Sequence, residues 1–347
     1  MKFGFFEHID HHGPSLARQY DERYRLIEAA DRAGYHAYHL AEHHGTPIGG
    51  APSPALFLAG VAARTKRLRL GPLVYLLPLY HPVRLIEEIC MLDQLSHGRL
   101  ELGIGRGGAP VEHALYGIST DPAELARRFA EVRDIVLLGL RSEELSYDGE
   151  FYQLNNVPMV LKPVQQPHPP LWYGTANRDS ARWTVPNSVN VLTLGPTSRA
   201  RTVGDAYRAE WKAQGRDPQA MPFIGMTRHL VVADSDAEAI AIGRRAFADF
   251  NAKLRWLWDK MGQSASFPAH FVPDFDSACA AGLTFAGSPA RARDYIANQI
   301  AESGISYLAV GFAFGTMSCD EALASIELFA REVMPAFTDP ERMPASV

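Results

Sequence analysis

The chain has little cysteine, no excess of positive charge and no long hydrophobic run. Its 347 residues include only Cys90, Cys279 and Cys319, which lie too far apart in the sequence to form a zinc knuckle or a disulfide framework. The net charge of −5, with scattered basic residues, does not indicate nucleic-acid binding. No apolar run approaches the ~18 residues that span a bilayer, and Glu7 interrupts the first apolar residues before a signal peptide could form. We therefore expect a cytoplasmic protein without membrane or nucleic-acid partners.

What the sequence does contain is a regular alternation of short apolar segments with amphipathic helical segments. It predicts eight strands, each followed by a helix, at residues 2–7, 37–41, 68–77, 100–105, 171–174, 189–194, 223–233 and 306–312. Eight such units, in a chain longer than the usual ~250 residues, predict an α/β fold: a single (β/α)8 TIM barrel over residues 1–347. A doubly wound open sheet is the alternative layout.

Two segments, residues 142–170 and 253–287, do not follow this alternation and are predicted to be insertions. In the first, Asp148-Gly149 is typical of the turn of a β-hairpin. The second is rich in Trp, Phe and Pro, and we interpret it as either an active-site lid or a packed loop.

The active site of a TIM barrel lies at the C-terminal ends of its strands, which narrows the search for functional residues. The fourth strand is followed by Arg106-Gly107-Gly108, where glycines leave backbone amides accessible and arginine offers a cationic fork to a phosphate. The fifth strand is followed by Thr175-Ala176-Asn177-Arg178, small and polar residues that open a helix and suit a second anion contact. Two such loops at one end of a barrel predict a phosphorylated cofactor.

Histidines after the first two strands are candidate acid–base groups. Glu42-His43-His44 follows the second strand, and imidazole exchanges protons near neutral pH. These residues could instead ligate a metal or only cap the loop. Adjacent histidines do not readily chelate one ion, and no later strand end offers a matching ligand, so we predict no metal. After the first strand, His8, His11 and His12 are interpreted as structural.

Several segments, taken together, resemble the bacterial luciferase-like flavin monooxygenases. The resemblance is carried by Met1-Lys2-Phe3-Gly4, Ala33-Gly34-Tyr35, Leu40-Ala41-Glu42-His43-His44, Leu77-Pro78-Leu79-Tyr80-His81-Pro82-Val83-Arg84, Leu92-Asp93-Gln94-Leu95-Ser96-His97-Gly98-Arg99 and Leu102-Gly103-Ile104-Gly105-Arg106-Gly107. It implies a (β/α)8 barrel that uses reduced FMN (FMNH2), supplied by a separate flavin reductase, and O2 to oxygenate a small organic substrate through a flavin hydroperoxide. The aromatic second insertion and the leucines of residues 76–79 favour an apolar substrate.

The resemblance also implies roles for individual residues. His43 matches the family's catalytic histidine, and His44 lies beside it. Arg106 matches an arginine that binds the flavin phosphate. Leu73-Val74 lies where the family often has a non-prolyl cis peptide under the flavin ring. Gly105 replaces a reactive cysteine of luciferase, which argues against light emission. The further cofactor contacts that it implies are Glu42, Gly107, Thr175, Ala176, Asn177 and Arg178.

Two other functions and one assembly state follow from the same residues. A deazaflavin-dependent dehydrogenase on the same barrel and a catalytically silent FMN-binding relative are the alternatives. The helices near residues 54–65 and 82–95 carry more apolar residues than one barrel-facing stripe needs, which predicts a homodimer interface, as the family resemblance also implies. These residues are Leu56, Phe57, Val61, Leu85, Ile86, Ile89, Met91 and Leu92.

Overall fold

The structure of the protein, a computed structural model, describes residues 1–13, 15–263 and 272–338. In these ranges the strands are β1 (Lys2–Glu7), β2 (Ala37–Leu40), β3 (Arg69–Pro72), β4 (Tyr75–Leu76), β5 (Leu102–Gly105), β6 (Glu144–Asp148), β7 (Gln153–Pro158), β8 (Leu171–Gly174), β9 (Asn190–Thr193), β10 (Ile224–Val232), β11 (Thr284–Gly287) and β12 (Tyr307–Gly311). The helices are α1 (Leu16–Ala33), α2 (Pro54–Arg64), α3 (Pro82–Leu95), α4 (Pro110–Leu115), α5 (Pro122–Gly139), α6 (Ala181–Thr184), α7 (Thr197–Ala213), α8 (Asp236–Lys260), α9 (Phe275–Ala280), α10 (Pro289–Ser303), α11 (Cys319–Glu332) and α12 (Pro335–Thr338). None of these helices is long and apolar enough to cross a membrane.

A parallel barrel forms the centre of the molecule. From β3, the strand order runs through β2, β1, β12, β10, β9, β8 and β5 to β4, and β11 adds to the C-terminal half of β10. The amide of Leu70 donates to the carbonyl of Arg99 (3.0 Å), and the amide of Glu101 donates to the carbonyl of Leu70 (2.8 Å). These two hydrogen bonds join β3 to the start of β5 and close the ring. The predicted (β/α)8 barrel is confirmed.

Helices α1 and α11 have specific capping interactions at their ends. The Ser15 side chain accepts from the amide of Arg18 at the start of α1, and Gly34 ends the helix in the left-handed conformation with φ of 86°. At the start of α11, Ser318 and Glu321 form a reciprocal capping box.

The predicted third strand, residues 68–77, is not continuous. The peptide between Leu73 and Val74 is cis, as the family resemblance implies, and it separates β3 from β4. A short 3-10 helix at Leu77–Leu79 follows β4. The apolar pattern continues through the break, so residue periodicity alone does not reveal it.

The segment 142–170 contains an antiparallel hairpin of β6 and β7, with its turn at Asp148-Gly149 as predicted. The hairpin is attached to α5 by Glu131, a largely buried carboxylate. It accepts hydrogen bonds from three successive amides of the turn, at 2.9, 2.9 and 2.7 Å: Glu150, Phe151 and Tyr152. A surface insertion is thereby held in one position against the barrel.

The segment 253–287 is more regular than the sequence pattern indicated. Its first residues continue α8 to Lys260, and α9 and β11 occupy its second half. Residues 264–271 lie outside the described residues, and part of the lid interpretation falls on them. The sequence pattern did not predict β11 or the helix α10 that follows it.

Most apolar residues of α2 and α3 pack within the chain. Of the eight residues named for the interface, six are buried: Phe57, Val61, Leu85, Ile86, Ile89 and Leu92. Leu56 is 77% exposed and Met91 is 54% exposed, and Leu95, at the end of α3, is 53% exposed. The apolar surplus on the outer face is therefore smaller than the sequence pattern predicted.

We expect Glu131→Gln to destabilise the protein by about 1–3 kcal/mol, because the new amide NH2 faces a backbone N–H that has lost its acceptor. The free energy of unfolding in urea measures this loss. Asp134→Asn, on the exposed side of α5, is the control and should change it by less than about 0.5 kcal/mol. Equal values for Glu131→Gln and the wild type would show that the carboxylate does not hold the hairpin.

Candidate active site

Three histidines converge at the C-terminal ends of the strands. His8 follows β1, His43 follows β2 and His229 lies in β10. The ring centroids of His8 and His43 are 5.1 Å apart with an interplanar angle of 26°, and those of His8 and His229 are 6.3 Å apart at 24°. Phe250 from α8 and Phe314 after β12 pack against His229, with centroids 4.8 and 4.9 Å away. The barrel mouth thus holds a stack of imidazoles enclosed by aromatic rings.

Enclosure keeps two of these imidazoles neutral. Burial lowers the pKa of His8 well below its usual range, and the neighbouring His43 and His229 lower it further. Burial also lowers the pKa of His229 to about 4. His8 Nδ1 is buried and has no hydrogen-bond partner in the described part of the chain. The sequence interpretation of His8 as structural therefore missed its place in the site, and His229 was not considered.

His43 differs because a carboxylate contacts it directly. Its Nδ1 lies 2.8 Å from Oε1 of Glu112, a residue of α4 whose side chain is 4% exposed. Burial alone would lower the pKa of His43, but the charges of Glu112 and Glu42 outweigh it and raise the pKa. Among the three stacked imidazoles, His43 is the one whose pKa is raised. Glu112 carries no motif that would have identified it from the sequence.

Glu42 and His44 form a second, fully bonded pair. Because a carboxylate only accepts, His44 donates from Nε2 to Glu42 Oε1 (2.7 Å), and its Nδ1 accepts from the Tyr116 hydroxyl (2.7 Å). Glu42 Oε2 accepts from the amide of Leu76 in β4 at 3.0 Å. Burial raises the pKa of Glu42, and the His44 hydrogen bond opposes that rise. The pair connects the end of β2 to β4, and both ring nitrogens of His44 are occupied.

The loop after β5 presents an unpaired cation. Arg106 is exposed, and its guanidinium has no hydrogen-bond or ion-pair partner among residues 1–13, 15–263 and 272–338. Gly107 adopts a left-handed φ of 86°, and a Cβ there would lie 2.7 Å from Cε1 of His113. His113 Nε2 donates to the carbonyl of Arg106 at 2.9 Å. Glycine is therefore required at position 107, and the Arg106 side chain remains available to a ligand.

The loop after β8 lies beside this one, because β5 and β8 are paired neighbours. Thr175 Oγ1 accepts from the amide of Asn177 at 3.0 Å, and Asn177 Oδ1 accepts from the amide of Asp179 at 2.9 Å. Ala176 and Arg178 are exposed. The structure brings the two predicted anion-binding loops next to each other on one side of the mouth.

An apolar floor separates these loops from the histidines. Val74, beyond the cis peptide with Leu73, is half-buried and flanked by glycines. A Cβ on Gly105 would approach Val74 Cγ2 to 2.3 Å, and one on Gly174 would lie 3.9 Å from Val74 Cγ1. The absence of side chains on both glycines keeps the floor open. This arrangement fits a ligand with a flat ring and a phosphate tail. The ring would lie on the apolar floor, and the phosphate would lie near Arg106 and Arg178 of the two loops.

Comparisons with known proteins identify the family of the chain. A family model described as luciferase-like monooxygenase matches residues 1–307. The chain is 43% identical to the uncharacterized protein y4wF of Sinorhizobium fredii over 96% of each chain. It is 30% identical to the oxygenase component of a flavin-dependent trigonelline monooxygenase of Acinetobacter baylyi, over 98% of this chain and 96% of that one. Monooxygenase RslO1 of Streptomyces bottropensis superimposes with a TM-score of 0.87 at 28% identity, covering 97% of this chain and 100% of that structure.

The lowered pKa of His229 predicts a specific loss of stability in acid. The unfolded chain takes up a proton near pH 6.5, whereas the folded protein takes it up only near pH 4, so the free energy of unfolding falls as the pH falls between these values. Between pH 7 and pH 5, we expect the free energy of unfolding to fall by about 2 kcal/mol less in His229→Gln than in the wild type. Urea unfolding at both pH values measures it, with the exposed His11→Gln as the control. A pH dependence identical to that of the wild type in His229→Gln would contradict the assignment.

Proposed function

The chain belongs to the luciferase-like monooxygenase family, and we propose that it is a flavin-dependent monooxygenase that uses reduced FMN and O2 to oxygenate a small, apolar organic substrate. The observation that carries the proposal is the pairing of His43 with Glu112 at the barrel mouth, next to a loop whose Arg106 has no partner in the described ranges. His43 can accept or donate a proton, and Arg106 can bind a phosphate.

The residues at the mouth fit FMN in a defined direction. Arg106 and Arg178, on adjacent loops, would hold the phosphate, together with Thr175 and the backbone amides near Gly107 and Ala176. The ring would lie on the floor formed by Leu73 and Val74 between two glycines. Glu42 and His44 would support this floor from below through the hydrogen bond to Leu76.

Bound reduced flavin supplies the electrons that activate O2, and the chain's own residues govern protons and water. His43 would exchange a proton at its ring edge, because its pKa is the one that is raised in the imidazole stack. His8 and His229 stay neutral and pack with Phe250 and Phe314, which keeps charge and bulk water from the mouth. This enclosure also favours an apolar substrate.

The source of reduced flavin is proposed to be a separate reductase. The relative from Acinetobacter baylyi is named as an oxygenase component, which implies a partner that supplies its reduced flavin. This chain covers 96% of that relative, which supports the same division of labour here.

We expect Arg106→Ala to weaken FMN binding about ten- to a hundredfold, because a charge-assisted contact to phosphate contributes about 1.5–3 kcal/mol. Riboflavin, which lacks the phosphate, should lose little affinity. Anaerobic titration of both reduced flavins measures the difference, and Arg141→Ala, an exposed arginine at the end of α5, is the control. Equal losses for both flavins would remove Arg106 from the phosphate site, and tighter binding of a deazaflavin would contradict the choice of FMN.

We expect His43→Ala to fold, bind reduced FMN and consume O2, but to release hydrogen peroxide instead of oxygenating substrate. The product yield should fall by ~10²–10⁴, the usual effect of losing an acid–base group. The measurement is peroxide formed per flavin oxidised, with a substrate found by screening a panel of apolar compounds. His44→Ala should have a smaller effect, because both nitrogens of His44 already serve Glu42 and Tyr116. An unchanged ratio in His43→Ala would favour a silent flavin-binding protein over a monooxygenase.

We further propose that the protein is a homodimer that buries the exposed apolar residues of α2 and α3. Leu56, Met91 and Leu95 are the exposed large apolar residues of these two helices. Leu56→Asp should convert the dimer to a monomer in sedimentation velocity at micromolar concentration, whereas Met261→Asp, at an exposed apolar residue that ends α8, should not. A wild-type monomer at that concentration would refute the dimer.

A further inference from the structure

Helix α4 connects the two halves of the site. It begins directly after the Arg106 loop, and two adjacent residues on it reach in different directions. Glu112 contacts His43 at 2.8 Å, and His113 donates to the carbonyl of Arg106 at 2.9 Å. A Cβ on Gly107 would strike the His113 ring, so the loop packs tightly on this helix. One short helix therefore sets the distance between the proton-handling residue and the phosphate-holding loop.

The Glu112 contact also determines which nitrogen of His43 carries a proton. A carboxylate has no proton to give, so His43 Nδ1 is the donor in the 2.8 Å hydrogen bond. In the neutral ring the other nitrogen, Nε2, is then left with a lone pair. The same Glu112 oxygen, Oε1, lies 3.4 Å from the amide of His44, and this second donor keeps the carboxylate in place.

The other charged and titratable groups around His43 do not compete for this role. On its own segment, Glu42 is bonded to His44 and to the amide of Leu76. From β1, His8 stacks on the His43 ring and is held neutral by burial. From β10, His229 lies beyond His8 and is neutral as well. In the described part of the chain, Glu112 is thus the one carboxylate bonded to the His43 ring.

We propose that Glu112 is the positioning residue of His43. It fixes the Nδ1–H tautomer and presents Nε2 to the barrel mouth, and through α4 it holds this nitrogen at a fixed distance from the Arg106 loop. The tautomer and its link to α4 stand on the geometry alone. The consequence for oxygenation rests on the proposed function.

Two substitutions separate the charge of Glu112 from its hydrogen bond. In Glu112→Gln, the amide oxygen replaces Oε1, since both His43 Nδ1–H and the His44 amide point at that position. The hydrogen bond stays and the charge is lost. Glu112→Ala removes both. Glu131→Gln, a buried carboxylate that also binds backbone amides but lies on the hairpin side of α5, is the matched control.

The primary measurement uses the cofactor-free protein, so it does not depend on any reaction. Imidazole ¹⁵N shifts of histidine-labelled protein, assigned with His43→Gln, report the tautomer and the titration of His43 between pH 5 and 9. Because the Glu112 charge raises the pKa of His43, both Glu112 variants should titrate at lower pH than the wild type. The Nδ1–H tautomer should persist in Glu112→Gln and be lost in Glu112→Ala, and Glu131→Gln should match the wild type.

The second measurement is peroxide formed per flavin oxidised, as a function of pH. Glu112→Ala should lower the product yield on the order of tenfold. Glu112→Gln should retain more of the product yield, and the fall of that yield on the acid side of its pH profile should move to lower pH. A wild-type tautomer and titration in Glu112→Ala would overturn the inference and leave the proposed function intact. If Glu112→Ala does not fold, an unshifted His43 titration in Glu112→Gln overturns it equally. An unchanged ratio in His43→Ala would instead overturn the proposed function.

Discussion

Closure of the barrel between β3 and β5 is the constraint on which the site depends. The two hydrogen bonds of Leu70 bring the start of β5 against β3 and complete the ring of parallel strands. In a closed parallel barrel every strand ends at the same mouth, so residues far apart in sequence meet there. His8, just after β1, has its ring centroid 5.1 Å from that of His43, after β2, and 6.3 Å from that of His229, in β10.

A second constraint is the burial of charge at this mouth. Buried carboxylates destabilise a protein unless each is hydrogen-bonded. Glu42 meets this requirement through His44 and Leu76, and Glu112 meets it through His43 and the His44 amide. The two carboxylates therefore order the loop after β2 as part of folding. Among the described residues, the Nε2 of His43 has no hydrogen-bond partner, whereas both ring nitrogens of His44 have one. The hydrogen bonds that stabilise the buried carboxylates therefore also determine which histidine of this loop is available to exchange a proton.

The sequence contains enough information to predict the barrel and one side of the site. The alternation of strands and helices, together with the chain length, predicts the fold. The two anion-binding loops, around Arg106 and Thr175, were predicted from the glycine, arginine and small polar residues that follow two successive barrel strands. Glu112 could not be found in this way, because it lies on a six-residue helix and acts through a tertiary contact 69 residues from its partner. His8 has the same difficulty: its neutrality results from the aromatic rings packed around it, and those come from distant elements. The break in the third strand shows the opposite case, in which the family resemblance located a feature that periodicity conceals.

The two sides of the mouth differ in chemistry, and this difference orients the proposed cofactor. The loops after β5 and β8 carry Arg106 and Arg178, whereas the ends of β1 and β10 carry neutral imidazoles packed with phenylalanines. A phosphate on the imidazole side would lie near neutral rings without a counter-charge, which is unfavourable in an enclosed site. The phosphate end of the proposed cofactor would therefore lie on the arginine side, and its ring would extend over Val74 toward His43. The space between that ring and the stack of His8 and His229 is then where a substrate would lie, in contact with apolar rings and within reach of the one imidazole whose pKa is raised.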